Sequence, residues 1–466
     1  MSDQPRAATP PAFNPDAPHQ QHPRLRPVRG FPLQAQTPDG QQVTLLGLAD
    51  ARQISEKVVG THPAAQAILP LMDGSRDLDT IVSEVGRGLT REFLEGLVAQ
   101  LDDAALLFGP KFEELQRKVR EDFDSLEHLP PGTTAAFVEQ LVAQATQAAS
   151  AEQEEGAEPV TPDDLDQRDL FGKILDQWMN EGVERTDAVP IESLPRAIVA
   201  PHIDYGRGWI NYAAVWGRLR GLDRPDRVVI LGTNHFGECS GVCACDKGYE
   251  TPLGLCELDR ELVEAVKGNL GEELSEKLFA FRYDHEREHS VELQVPWIQR
   301  TFGPDEQGNY PKVFGVLIHD PAVNGGDSYD GNGVGLDEFV EATRKAIDSL
   351  PGRTLVISSA DLSHVGPAFG DQERTAGDEN KEQAEAFRNK TIEQDKELLE
   401  MFAEGRIEDL LAAMTWQQNP TRWCSTGNMI AAMRVSGAES ARILNYGAAI
   451  DQQGMSMVSN VAMVLE

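Results

Sequence analysis

The sequence predicts an α/β protein whose C-terminal domain, residues 191–466, has a mostly parallel central sheet flanked by helices. After Pro195, short apolar runs rich in β-branched residues alternate with helical stretches, a pattern typical of parallel sheets covered on both faces. Histidines follow four of these runs, and ligands of such sheets bind beyond the carboxyl ends of the strands. A small α+β module and a helical connector are predicted to precede this domain.

Composition limits the partners and the compartment. Lysine and arginine number 42 against 76 aspartates and glutamates, a formal charge of -34. A nucleic-acid backbone or an anionic membrane would be repelled by this charge. The sequence has neither an export signal nor a run of about 18 apolar residues, and its five cysteines do not form a disulfide framework. We therefore expect a cytoplasmic protein with no nucleic-acid partner and no membrane.

The N-terminal residues 1–28 are rich in Pro, Gln and Ala and are predicted to be a disordered tail. Residues 29–110 begin with a β-like stretch, Phe31 to Leu48, followed by three stretches with apolar residues at helical spacing. Asp77 and Thr90 stand where helix N-caps belong. A hairpin followed by three helices is the winged-helix pattern.

The run LMDGSRDL at 71–78 within this module resembles the PqqD-related peptide-recognition modules that serve radical-SAM enzymes. The resemblance implies binding of a peptide or protein without chemistry, and an ordinary packing module is the alternative. Residues 111–190 are helical but polar, with the acidic run EQEEGAEP at 152–159. We interpret them as a helical connector with a hinge near residues 159–164.

The C-terminal domain brings histidines to one edge of its predicted sheet. The candidate strands are Ala197–Ala200, Val228–Gly232, Val313–Leu317, Thr354–Ser358 and Arg442–Leu444. Just past the first four lie His202, His235, His319 and His364. A lone histidine after a strand is usually a hydrogen-bonded loop residue, and we keep that structural interpretation for His319. Several converging imidazoles, however, are what a metal site on a rigid frame requires.

Five ordered motifs in this region match a known family. They are IVAPH at 198–202, LGTNH at 231–235, EHSVE at 288–292, SSADLSH at 358–364 and CSTG at 424–427. In this order they resemble the Memo family, including the bacterial AmmeMemoRadiSam system protein B. The likeness runs from about Pro195 to the C-terminus and includes the closing NYG at 445–447 and VS at 458–459.

The resemblance implies the fold of the class III extradiol dioxygenases and a metal ion held by His202, His235 and Cys424, the cysteine standing where the dioxygenases have a carboxylate. A thiolate keeps the single negative charge of that carboxylate but is a softer donor. Two imidazoles and one thiolate suit iron(II) or copper, with zinc as a third candidate. Three protein donors also leave open positions for water, O₂ or substrate.

Four further residues receive roles from the same resemblance. His364 falls where the dioxygenases have their proton-transfer histidine, and Asp361 is expected to orient an imidazole or accept its proton. His289 and Glu292 belong to the EHSVE helix, whose (i, i+3) spacing is expected to turn both toward the site. Asp204, two residues after His202, could bond a metal ligand, but we interpret it as a turn residue.

Two functions remain open at this point. The first is an O₂-dependent, dioxygenase-like oxidoreductase acting on a small molecule or peptide. The second is a non-catalytic protein that sequesters metal or binds peptide as the accessory component of a radical-SAM system. The chain has no C-x₃-C-x₂-C signature, so a radical-SAM protein would be a partner. The C-x₃-C-x-C run at 239–245, with Cys256 beyond it, fits no common cluster and is interpreted as packing.

Overall fold

A computed structural model describes residues 11–36, 40–86, 88–151, 161–186, 189–377 and 380–466, and the chain divides into two compact units, Met1–Leu126 and Glu127–Glu466. The first ten residues of the predicted tail and the acidic run at 152–159 lie outside the described residues. Among the helices within those ranges, none is long and apolar enough to cross a membrane.

The N-terminal unit contains a three-stranded antiparallel sheet, with strand order β1-β2-β3, packed beside short helices. Its strands are β1 (Val28–Gln36), β2 (Gln42–Asp50) and β3 (Val59–Thr61), and its helices are α1 (Pro18–Gln21), α2 (Leu78–Val85), α3 (Arg91–Asp103) and α4 (Pro110–Ser125). Asp77 and Thr90 cap α2 and α3 by accepting backbone N–H bonds, the positions expected from the sequence.

The first predicted helical stretch of this unit differs from expectation. It consists of two 3₁₀ turns, Pro63–Ala67 and Leu69–Leu71, instead of an α-helix. Pro70 lies inside that stretch and has no backbone N–H to donate, so an α-helix cannot run through it. The likeness to a peptide-recognition module stays a prediction.

Residues 11–28 also differ from the disordered tail that composition suggested. They contain α1, and Gln20 donates to the Asp102 carboxylate in α3 at 2.8 Å. Arg26 is buried and its guanidinium lies 3.0 Å from the buried Asp50 carboxylate. These polar groups pair with carboxylates distant in sequence, a stabilisation that composition does not reveal.

The C-terminal unit is built on an eight-stranded mixed sheet in the order β12-β14-β5-β11-β6-β10-β7, with β13 paired to β14. The central strands β5, β11, β6 and β10 are parallel, whereas β7, β12, β13 and β14 join antiparallel. The strands are β4 (His128–Leu129), β5 (Ala197–Ala200), β6 (Arg227–Thr233), β7 (Cys243–Ala244), β8 (Gly248–Thr251), β9 (Gly254–Cys256), β10 (Lys312–Ile318), β11 (Thr354–Ser359), β12 (Asp361–Val365), β13 (Ala441–Ile450) and β14 (Met457–Leu465). Strands β4, β8 and β9 form a separate small sheet.

All five predicted strands of this unit are present, in β5, β6, β10, β11 and β13. The sequence did not reveal β14, although every residue of it is buried. Ser459 and Asn460 interrupt its apolar run: the Ser459 hydroxyl accepts the N–H of Ser363 in β12, and the carbonyl oxygen of Asn460 accepts from the side chain of Asn211 in a covering helix. The α/β class with a partly parallel sheet flanked by helices is therefore confirmed.

Helices cover this sheet on both faces. They are α5 (Thr133–Ala151), α6 (Gln167–Glu184), α7 (Tyr205–Leu219), α8 (Arg260–Leu270), α9 (Glu272–Phe279), α10 (His289–Glu292), α11 (Val295–Phe302), α12 (Pro321–Asn324), α13 (Leu336–Ser349), α14 (Lys381–Ala403), α15 (Ile407–Gln417) and α16 (Thr426–Ser436). Three more 3₁₀ turns lie at Pro162–Asp164, Arg282–Glu286 and Pro367–Phe369.

The predicted connector is divided between the two units: residues 111–126 belong to the N-terminal unit, and the rest belongs to this one. The Phe137 ring in α5 meets the Tyr205 ring in α7 edge-on, with centroids 5.2 Å apart, and Phe171 of α6 lies beside both. Trp178 of α6 stacks on Trp297 of α11. The boundary predicted at residue 191 is therefore too late, because aromatic residues spread over a polar sequence bury α5 and α6 against the domain.

Candidate metal centre

Three loops meet at the carboxyl ends of the parallel strands. His202 lies two residues beyond β5 and His235 two residues beyond β6, while β11 runs between those strands in the sheet. Cys424 lies just before α16, whose N-terminal residues pack against the same strands. Parallel strands direct their carboxyl ends to one edge, so the topology itself brings these side chains together.

His202 is fully buried and held in one orientation. Its Nδ1 lies 2.9 Å from the carbonyl oxygen of Ser359, which can only accept, so Nδ1 carries the proton and Nε2 presents a lone pair. Burial, helped by the neighbouring imidazoles of His235 and His289, holds the pKa of His202 well below its usual value. His202 is therefore neutral, which is the state that binds metal.

His235 is oriented by Glu288. Its Nδ1 lies 3.0 Å from Glu288 Oε1, and its backbone N–H donates to Oε2 at 2.8 Å. Burial acts to lower the pKa of His235, but the Glu288 carboxylate and a hydrogen bond with Cys424 outweigh it and raise that pKa well above 6.5. The carboxylate leaves Nε2 of His235 directed to the site, the arrangement that carboxylate partners give to metal-binding histidines.

Cys424 lies beside His202. Its Sγ is 3.3 Å from His202 Nε2 and 3.2 Å from the hydroxyl of Ser425. The following residues begin α16. Gly427 allows α16 to lie against the residue that follows β10, because a Cβ at Gly427 would be 2.1 Å from the carbonyl oxygen of His319.

His289 completes a cluster of imidazoles. Its ring stacks on that of His235 with centroids 4.9 Å apart, and ligand nitrogens of His202, His235 and His289 all lie within 4.8 Å of one another. The helix that carries it is fixed to β6: the Ser290 hydroxyl bonds both the N–H and the C=O of Thr233 at 3.0 Å. Gly232 allows this contact, since a Cβ there would meet the Ser290 hydroxyl at 2.4 Å.

The imidazoles of His202, His235 and His289 lie close enough together to share one ion, and the fit of Cys424 is tested by its distance to His202. Bonds from such an ion to nitrogen and sulfur are about 2.0–2.3 Å long, so two donors of one ion lie at most about 4.6 Å apart. The 3.3 Å between Cys424 Sγ and His202 Nε2 meets this requirement. Neutral imidazoles and a sulfur donor suit iron, copper or zinc.

Comparisons with known proteins identify the family of this chain. The family model described as Memo-like protein matches residues 166–464. The chain belongs to the Memo-like protein family.

Relatives extend the comparison. A MEMO1 family protein of Pyrobaculum aerophilum is 32% identical over 170 residues, which are 36% of this chain and 53% of the relative. MEMO1 family proteins of Aquifex aeolicus and Methanococcoides burtonii are 25% and 28% identical, over 74% and 57% of this chain and 76% and 84% of theirs. The match thus spans about half the length of the first relative and most of the other two. The Memo resemblance drawn from the motifs is confirmed.

The Memo motif SSADLSH places Asp361 and His364 on β12. Asp361 is buried, and its Oδ1 accepts the backbone N–H of His202 at 3.1 Å. Burial raises the pKa of Asp361 to about 7. His364 Nδ1 lies 2.9 Å from the Leu362 carbonyl oxygen, and burial lowers the pKa of His364 to about 4. His364 is thus a neutral imidazole with Nε2 free of that bond.

Glu292 differs from its expected place. Its carboxylate faces away from the imidazoles and accepts the N–H groups of Gly132, Thr133 and Thr134 at 2.9–3.0 Å. It therefore satisfies the N-terminus of α5, where a negative charge complements the helix dipole. The (i, i+3) spacing predicted that Glu292 would share the helix face of His289. However, α10 has a single turn, and Glu292 at its end bonds α5 instead.

His319 and three buried cysteines of this domain have surroundings typical of structural residues. His319 Nε2 lies 2.9 Å from the Asp327 carbonyl oxygen, in agreement with the interpretation of a loop residue. Cys243, Cys245 and Cys256 are buried, and burial raises the pKa of each thiol, for Cys245 to about 12. Thiols held protonated are poor metal ligands.

Of two acidic residues near the site, motif reasoning identified the role of Asp204 and missed that of Glu288. Asp204 caps α7 by accepting the Arg207 N–H, as its interpretation as a turn residue implies. Glu288 received no role from the sequence, although it orients His235 and contacts His289 at 3.3 Å. Its signal was its position before a helical histidine, where an acidic N-cap such as this one bonds the N–H of Ser290 at 2.9 Å.

Proposed function

We propose that this Memo family chain binds one iron(II) or copper ion between His202, His235 and Cys424 and uses it in an O₂-dependent oxidation of a small molecule or peptide. One observation carries the proposal: donors from three distant segments converge, with Cys424 Sγ 3.3 Å from His202 Nε2 and both beside His235. A purely structural site would be closed by a fourth protein ligand. Bound there, the ion would supply a Lewis-acidic, redox-active centre with open positions.

The protein's own groups would orient and move protons. The Ser359 carbonyl and the Glu288 carboxylate fix the two imidazoles before any ion arrives, which lowers the cost of ordering the site. His289 stands beside them as a contact for the substrate. His364 is neutral at pH 7, so its Nε2 can accept a proton from the substrate.

Oxygen uptake tests this function. Protein loaded anaerobically with iron(II) or copper(I) would be given air, a reductant and candidate substrates drawn from cell extract. We expect uptake above that of free metal, and a His364→Gln variant that keeps its metal but loses most of that uptake. A loaded protein that never consumes oxygen with any extract would contradict the oxidase proposal and favour metal sequestration.

A further inference from the structure

One buried carboxylate plays no part in the site described above. Asp395 lies in α14 and is fully buried. Its partners among the described residues are neutral donors: Ser363, Trp423, Tyr446 and Ser459. Removing a charge from water costs several kcal/mol unless hydrogen bonds replace that water. Four donors on two oxygens provide that replacement.

The position of two of those donors links Asp395 to the candidate metal centre. Trp423 immediately precedes Cys424, and its indole N–H donates to Asp395 Oδ1 at 2.7 Å. Ser363 immediately precedes His364 and donates to the same oxygen. The Ser363 hydroxyl also lies 3.1 Å from the indole nitrogen, so the three groups form one closed contact.

The other two donors fix Asp395 to the sheet. Tyr446 on β13 donates its hydroxyl to Oδ2 at 2.7 Å, and Ser459 on β14 donates to the same atom. These residues belong to the closing NYG and VS motifs, for which the metal site gives no role. Through Asp395, the two C-terminal strands are therefore connected to both segments that carry Cys424 and His364.

We propose that Asp395 is a positioning residue that sets Cys424 and His364 relative to the imidazoles of the sheet; the proposal rests on the metal function proposed above. The Cys424 segment lies in a loop, and Gln418, Asn419 and Arg422 in it have positive φ angles. Such a loop needs external bonds to keep one conformation. The indole N–H can only donate, so it needs an acceptor, and Asp395 supplies one that is itself held by two strands.

Cobalt(II) binding to the full-length protein tests the proposal, because a cobalt–thiolate charge-transfer band reports the Cys424 sulfur independently of turnover. Trp423→Phe removes the bond on the Cys424 side, and Tyr446→Phe removes an equivalent bond to the same carboxylate on the strand side. We expect Trp423→Phe to shift or weaken the band and to bind cobalt at least about 10-fold less tightly, as outer-shell partners do. Tyr446→Phe leaves Ser459 on the same oxygen, so its band and affinity should change in the same direction but by less than those of Trp423→Phe.

Asp395→Asn provides a second test if Trp423→Phe does not fold. The two hydroxyls of Tyr446 and Ser459 can turn to accept from the amide, whereas the indole keeps the remaining oxygen. We expect this variant to fold and to change the band in the same direction by a smaller amount. Wild-type spectra and affinity in both Trp423→Phe and Asp395→Asn would overturn the positioning role. A wild-type protein without any thiolate band would instead refute the metal function.

Discussion

Buried polar groups have different partners at the two ends of the parallel strands. At the amino end, Arg227 opens β6 and its guanidinium lies 2.7 Å from the Asp259 carboxylate, while Asp259 also caps α8. At the carboxyl end, the imidazoles of His202 and His235 and the sulfur of Cys424 lie beside one another. The charges at the amino end form an ion pair with each other. The donor atoms at the carboxyl end converge on a point where a ligand can bind. The difference separates polar groups that stabilise the fold from those that bind.

The largest expected effect is the loss of metal from His235→Ala. Two remaining donors cannot hold the ion tightly, so we expect metal content measured by inductively coupled plasma mass spectrometry to fall to near zero. His319→Gln is the control, because His319 follows the neighbouring strand β10 but bonds backbone carbonyl groups. Equal metal content in the two variants would remove the distinction between binding and structural histidines.

The opposite end of the sheet should respond through stability alone. Asp259→Ala leaves the buried Arg227 guanidinium without its carboxylate, a change that costs about 3–5 kcal/mol of unfolding free energy. Urea unfolding measures this loss, and metal content per folded molecule should stay at the wild-type level. A loss of metal in folded Asp259→Ala would show that the two ends are coupled.

Acid should destabilise the domain through His285. The Tyr249 hydroxyl donates to its Nδ1 at 2.8 Å, and its Nε2 lies 3.1 Å from the Cys243 carbonyl oxygen. Burial lowers the pKa of His285 from 6.5 to about 4. Between these values the unfolded chain binds a proton that the folded chain does not, so stability is complete above pH 6.5 and falls toward pH 4, by about 3 kcal/mol.

Urea unfolding of wild type and His285→Gln between pH 4.5 and 7 measures that contribution as the difference in slope. The wild-type unfolding free energy should fall more steeply with acid than that of the variant. Parallel curves would mean that His285 is not neutral in the folded protein.

Glu288→Gln should weaken the metal centre without emptying it. Loss of the carboxylate that orients His235 is expected to reduce metal affinity by about 10–100-fold. Competition with a chelator of known affinity gives this number. An unchanged affinity would contradict the role of Glu288.

The smallest effect is expected from Glu292→Gln, which removes the same charge from the same helix. Its carboxylate bonds the N-terminus of α5, so unfolding free energy should fall by about 1 kcal/mol while metal affinity stays within a few-fold of wild type. A loss of metal affinity equal to that of Glu288→Gln would show that Glu292 acts at the metal site, as the sequence predicted.

Sequence reasoning succeeded where the informative residues are close together in the chain and failed where they are far apart. The α/β class was identified from apolar strand runs such as those of β5 and β6, which are local signals. The family was identified from motifs that occur in a characteristic order along the chain. Long-range pairing was not visible: Glu292 caps a helix that begins about 160 residues earlier, and Asp395 joins residues from four segments. Glu288 was within a quoted motif, but its role depends on the position of His235 in three dimensions.

Anomalous scattering tests the central claim most directly, in crystals of full-length protein purified without added metal. We predict one strong peak, at the iron or copper edge, within about 2.0–2.3 Å of His202 Nε2, His235 Nε2 and Cys424 Sγ. The same fold with no peak at this place, even after iron(II) and copper(I) are supplied, would contradict the account. So would a single ion bound instead among Cys239, Cys243 and Cys245.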